Sequence, residues 1–99
     1  MRHKARIDAN QNRIRDVFRK MGATWQSLAS VGSGCPDAVI GYEGGNYMVE
    51  IKDGEKPISK RRLTPQQQDW FANWAGQVTI IESEEQTMNF LKKIREAGL

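Results

Sequence analysis

Two short runs rich in β-branched and aromatic residues, Ala38-Val39-Ile40-Gly41-Tyr42 and Tyr47-Met48-Val49-Glu50-Ile51-Lys52, flank the segment Glu43-Gly44-Gly45-Asn46. The glycine pair supplies the positive φ angles that a tight turn demands, which predicts an antiparallel hairpin. A symmetric turn centred on Gly44-Gly45 pairs Tyr42 with Tyr47, Ile40 with Val49, Val39 with Glu50, and Asp37 with Lys52. Side chains alternate along a strand, so Met48, Glu50 and Lys52 share one face while Tyr47, Val49 and Ile51 share the other. Asp37 then falls on the charged face, opposite Lys52 and diagonal to Glu50, about 7–8 Å away at the backbone. An odd slip of register would bury the charges and expose the aliphatics, which fixes the parity.

The elements around the hairpin follow from pattern and punctuation. Ile7, Ile14, Val17, Phe18 and Met21 form one stripe of an amphipathic helix that stops at Gly22. Thr24 to Leu28 reads as a short strand, and a Ser/Gly stretch from Ser30 to Gly34 leads to Pro36. Residues 53–63 are polar and basic and read as a loop. Thr64-Pro65-Gln66-Gln67 is a helix start, with Thr64 as N-cap and Gln67 closing a capping box. Trp70, Phe71 and Trp74 are expected to point inward from that helix. Val78 to Ile81 is a further strand. Ser83 caps a last helix whose apolar positions are Met88, Leu91 and Ile94, with Gly98 after it. The order is α-β-β-β-α-β-α, an α/β fold with a mixed central sheet and a single domain over residues 1–99.

Ninety-nine residues bury about 60–65% of their unfolded surface, so a homodimer would add stability that a lone chain lacks. The only cysteine, Cys35, has no partner for an internal disulfide, which fits a reducing, intracellular setting. No apolar run is long enough to span a membrane, and no apolar signal-peptide core follows the basic start Met1-Arg2-His3-Lys4. Net charge is only +3, but it is unevenly spread. Basic residues crowd the first twenty positions and recur as Lys56, Lys60, Arg61 and Arg62, whereas Glu82, Glu84 and Glu85 lie near the C-terminus. That polarity suits an anionic partner on one side, with nucleic acid one candidate among others.

Two carboxylates converging with a lysine make chemical sense around phosphate. Asp37 and Glu50 together suit a Mg²⁺ or Mn²⁺ ion that keeps several waters, and Lys52 would orient a water and offset charge on phosphorus. The competing reading is a solvated, salt-bridging strand face.

Beyond this reading, Gly34-Cys35-Pro36-Asp37, Val49-Glu50-Ile51-Lys52-Asp53-Gly54 and Leu63-Thr64-Pro65-Gln66-Gln67 together resemble the signature of the VRR-NUC branch of the PD-(D/E)XK nucleases, in particular its short stand-alone phage and prophage members. The resemblance runs from Asp8-Ala9-Asn10-Gln11 to the last helix. It implies a restriction-endonuclease-like αβββαβα core and a metal-dependent endonuclease acting on DNA, with branched, flap or Holliday-junction substrates. By the same resemblance, Asp37 and Glu50 match the metal-binding carboxylates, the Ile51 carbonyl a further ligand, and Lys52 the catalytic lysine. Gln67 matches a glutamine beside the active site, its capping box being the alternative. Relatives carry a glutamate on the first helix; here Gln11 stands near that place, with Asp8 and Asn12 nearby, and Asp8 also reads as an N-cap. An intracellular phage or prophage protein in a bacterial host is implied as well.

Lys56, Lys60, Arg61 and Arg62 are expected to contact phosphates, against a merely solvated loop. Cys35 has no general base near it in sequence and reads as a small buried thiol. Trp70, Phe71 and Trp74 at helical spacing read as core, with stacking on bases the alternative. Two rival functions remain open at this stage. One is a non-catalytic nucleic-acid-binding module with a degenerate nuclease fold. The other is a protein-interaction domain, which requires Trp70 or Trp74 to be exposed.

Overall fold

A computed structural model describes residues 9–98. The helix α1 (Gln11–Lys20) is followed by the strands β1 (Thr24–Ser27), β2 (Ala38–Tyr42) and β3 (Gly45–Ile51). After a 3-10 turn at Ile58–Lys60 come α2 (Pro65–Asn73), β4 (Val78–Ile81) and α3 (Glu84–Ala97). The order agrees with the α-β-β-β-α-β-α reading. The strands form one four-stranded sheet in the order β1-β2-β3-β4, antiparallel except for the parallel pair β3–β4 that α2 connects. The part of the first helix predicted before Ala9 lies outside the described residues.

The hairpin is two residues tighter than expected. Tyr42 pairs with Gly45, Ile40 with Tyr47 and Ala38 with Val49, and Glu43 and Gly44 occupy the turn at φ 51° and 81°. Positive φ at both central residues is the turn whose twist matches that of the flanking strands, which explains why it displaces the Gly44-Gly45 centre. Gly45 is instead needed under Tyr47, where a Cβ would come within 2.6 Å of the phenol oxygen. Because the shift is even, every side chain keeps its predicted face.

One face of the sheet is dry. Ile40, Val49 and Ile51 meet Ile14 and Phe18 of α1 and Leu91 of α3 in a core with almost no solvent exposure. Each such side chain contributes about 1.5–3 kcal/mol on burial. Phe90 joins edge-on to Phe18 and Tyr47, with ring centroids 6.5 and 5.8 Å away. On α3 the inward positions are Thr87, Phe90, Leu91 and Ile94, while Met88, expected inside, is 40% exposed. Thr87 takes the buried place because its hydroxyl donates to the Ser83 carbonyl at 2.9 Å, so no polar group is stranded.

The opposite face is covered sparsely. No residue of α2 is fully buried, and Trp74, expected inside, is 43% exposed. Trp70 and Trp74 stack on each other at 4.6 Å instead of entering a core.

Candidate active site

The charged face of β3 opens into a cavity of about 400 Å³. Its floor is Glu50, Ile51 and Lys52, one wall is the segment Gly34 to Asp37, and the other is the start of α2 with Thr64, Gln66 and Gln67. Gly34 makes this closure possible. Its φ is +81°, and a Cβ there would fall 2.3 Å from the Gln66 carbonyl oxygen, so any other residue would push the loop off the helix.

Asp37 stands just before β2, where its backbone carbonyl accepts from Leu28 N–H at 2.8 Å. Extending the β2–β3 register by one step places it across from Glu50, not across from Lys52 as first expected. Its Oδ2 accepts from the Ile51 N–H at 2.7 Å, which fixes the carboxylate over β3. The Ile51 side chain is 1% exposed in the dry core, and its backbone lines the cavity.

Glu50 is 3% exposed. One of its oxygens, Oε2, accepts from Gln67 Nε2 at 2.8 Å and lies 3.7 Å from Lys52 Nζ. The other, Oε1, is buried without a hydrogen-bond partner. Burial, and then the neighbouring Asp37 carboxylate, push the Glu50 carboxyl up to about 8, against smaller opposing effects of Lys52 and Gln67. A proton on Glu50, shared with Asp37, relieves the carboxylate repulsion near neutral pH, and a bound cation would do so in its place. Among the described residues no three His, Cys, Asp or Glu side chains cluster. A cation here would therefore have two carboxylates and complete its shell from backbone oxygen and water, a donor set that Mg²⁺ and Mn²⁺ accept.

Gln67 closes the predicted capping box and also reaches the charged residues of the cavity. Its backbone N–H donates to Thr64 Oγ1 at 3.2 Å while its Oε1 accepts from Thr64 N–H at 2.9 Å, the reciprocal capping box. The same Oε1 accepts from Lys52 Nζ at 2.9 Å, and the amide Nε2 holds Glu50. One side chain thus locks the helix start to the charged pair. Cys35, expected to be buried, is only partly so and lines the cavity, its thiol raised above the ordinary range by burial, then by Glu50 and Asp37, the opposite of an activated nucleophile.

The remaining candidates are more scattered. Arg61 is held by the Lys56 carbonyl at 2.7 Å and by Glu82 at 3.3 Å, while Lys56, Lys60 and Arg62 are exposed. Gln11 is buried on α1, and Asp8 lies outside the described residues. Asn10 escaped sequence reasoning. Its Nδ2 donates to the Lys52 carbonyl at 3.1 Å and the Glu82 carbonyl at 3.2 Å, tying α1 to the strand ends behind the catalytic lysine candidate. An asparagine at a helix start reads as an ordinary cap, so only its tertiary contacts reveal this role.

No family model matches the chain, and the curated proteins searched contain no matching sequence. The structure itself defines a small α/β domain with a four-stranded mixed sheet and three α-helices among the described residues. None of those helices is long and apolar enough to cross a membrane.

Proposed function

We propose that this protein is a Mg²⁺- or Mn²⁺-dependent nuclease that hydrolyses phosphodiester bonds in DNA at the Asp37–Glu50–Lys52–Gln67 cavity. The observation that carries the reading is Glu50: a buried carboxylate with one oxygen unpartnered, facing Asp37 and a lysine inside an open cavity. Two carboxyl groups converging beside a lysine on a partly open cavity form a donor set that a hydrated divalent cation accepts. Asp37 and Glu50 would hold the cation, with the Ile51 carbonyl as the backbone ligand that the motif resemblance implies. When bound, the cation supplies polarisation of a phosphoryl oxygen and acidification of a water. Lys52, steadied by Gln67, places an ammonium beside the carboxylates, where it offsets charge developing on phosphorus. Asn10 and Gln67 keep Lys52 in place from behind and in front. Exposed Lys56, Lys60 and Arg62 give the backbone of a nucleic acid a cationic surface. Branched, flap and Holliday-junction DNA are the substrates that the motif resemblance favours, and a homodimer would present two such sites.

Cleavage of labelled linear duplex, flap, single-stranded and four-way-junction DNA in Mg²⁺, Mn²⁺ or EDTA tests the reading. The expected result is cation-dependent cutting, fastest on branched substrates and lost in Lys52→Ala. Intact DNA at high protein concentration, with binding preserved, would instead establish a non-catalytic binding module.

A further inference from the structure

Beside the cavity lies a second depression lined by Ser33, Gln66, Asp69, Trp70, Asn73 and Trp74. It shares Ser33 and Gln66 with the first, so the two lie side by side at the contact between the loop and α2. Gln67 and Trp70 stand three residues apart on α2, and Trp74 follows directly after the helix as its C-cap. The helix that delivers Gln67 to the charged cavity therefore also carries Trp70 and ends at Trp74. At 1.5 Å per residue the Trp70 backbone stands about 4.5 Å along the helix axis from that of Gln67.

This aromatic pair has the properties of a binding surface. The rings stack nearly parallel, 19° apart with centroids at 4.6 Å, and Trp70 also meets Phe71 edge-on at 5.9 Å. Trp74 Nε1–H donates to the Gln77 carbonyl at 3.3 Å, so its polar edge is engaged within the chain and the ring is held in place. Trp74 is nonetheless 43% exposed. Exposed large aromatics rimmed by polar groups mark interaction sites, and rigid indoles cost little entropy to employ. The third tryptophan, Trp25, sits against Phe18 on the other face of the sheet and has no part in either depression.

We propose that Trp70 and Trp74 form a stacking platform for an unpaired nucleobase of the same strand whose phosphate enters the Asp37–Glu50 cavity. This rests on the nuclease reading and narrows its substrate to DNA carrying a single-stranded segment next to the cut. A base on aromatic rings is sequence-tolerant because every base has a π-face. Inside a blunt duplex the bases are paired and stacked on each other, and none is free to occupy the platform. Ser33 and Gln66 line both depressions, so a strand that crosses them places its base on the indoles and its phosphate in the cavity.

Intrinsic tryptophan fluorescence of the cleavage-blocked Lys52→Ala protein, titrated in EDTA with a short oligothymidylate and with a blunt duplex, tests the platform independently of catalysis. The expected result is saturable quenching by the oligothymidylate, with affinity weakened at least about fivefold in Trp74→Leu and restored in Trp74→Tyr. Circular dichroism of each variant separates this from unfolding. In the cleaving protein, Trp74→Leu is expected to slow overhang and flap substrates by a larger factor than blunt duplex. Unaltered oligothymidylate affinity in a folded Trp74→Leu protein, with cleavage intact, overturns the platform and leaves the nuclease reading standing. Quenching without any cleavage by the parent protein supports the platform and removes the nuclease. A concentration-dependent dimer in sedimentation that Trp74→Leu abolishes assigns the aromatics to self-association and overturns the proposal.

Discussion

The two faces of strand β3 serve opposite ends. On one, Val49 and Ile51 are sealed by α1 and α3 among side chains with almost no exposure. On the other, Glu50 and Lys52 meet a helix that buries none of its own residues fully. Alternate residues of one strand thus serve a dry core and a polar cavity. The difference shows how a chain of this size places charge without losing its fold: the apolar face carries stability, and the charged face rests on it. Glu50 is nearly as buried as its apolar neighbours, yet one of its oxygens is unpartnered. Such a group costs stability, and it is tolerated because the other face supplies the surplus.

Truncation on the dry face should produce the largest effect. Phe18→Ala is expected to cost about 3–5 kcal/mol, read as a lowered urea midpoint, and enough to unfold a marginal domain. A loss below about 1 kcal/mol would mean that the α1–sheet interface is not the main source of stability.

Lys52→Ala should do the reverse, reducing cleavage by about 10²-fold or more while changing stability by no more than about 1 kcal/mol. The small stability change follows from the proton that Glu50 already holds near neutral pH without a cation. A large drop in midpoint alongside the lost activity would erase the proposed division between the faces.

Gln67→Ala sharpens the comparison because this residue belongs to both the fold and the site. Loss of the cap should cost about 1 kcal/mol, and release of Lys52 and Glu50 should slow cleavage by roughly 10–100-fold. Thr64→Ala breaks the cap alone and should match the stability loss with a smaller loss of rate.

The smallest effect is a pH dependence with a definite sign. Glu50 titrates near 8 in the folded protein against 4.5 ordinarily. Its folded value is raised, so the stability linked to its proton is complete below about 4.5 and is lost progressively as pH climbs through about 8. In EDTA the urea midpoint should therefore fall between pH 6 and pH 8.5, below the range where the Cys35 thiol contributes. Glu50→Gln should flatten that slope, and a slope unchanged by the substitution would place its origin elsewhere.

Much of the dry face was legible in advance, because alternation in residues 38–52 and the helical stripe of Ile14 and Phe18 are local patterns with one geometric solution. Face parity was equally secure, since the hairpin could slip only by an even step. The exact pairing was not, because Glu43 in a left-handed conformation has no sequence signal of the kind a glycine gives. Asp37, Glu50 and Lys52 were brought together by parity alone. Gln67 was visible as a cap, but its bonds to Lys52 and Glu50 depend on how α2 crosses the sheet. The outward turn of Trp70 and Trp74 was hidden because helical spacing says which residues share a face, not what that face meets. Asn10 was hidden for a related reason, its partners lying more than forty residues away in sequence.

Calorimetric titration of Mn²⁺ into the parent protein and into Glu50→Gln, each at pH 7 and pH 8.5, tests the central claim most directly. The account predicts saturable binding to the parent that strengthens with pH and releases a proton at pH 7, and its loss in Glu50→Gln. Absence of binding to the parent, or equal binding to the variant, would contradict the assignment of this cavity as a cation-dependent centre.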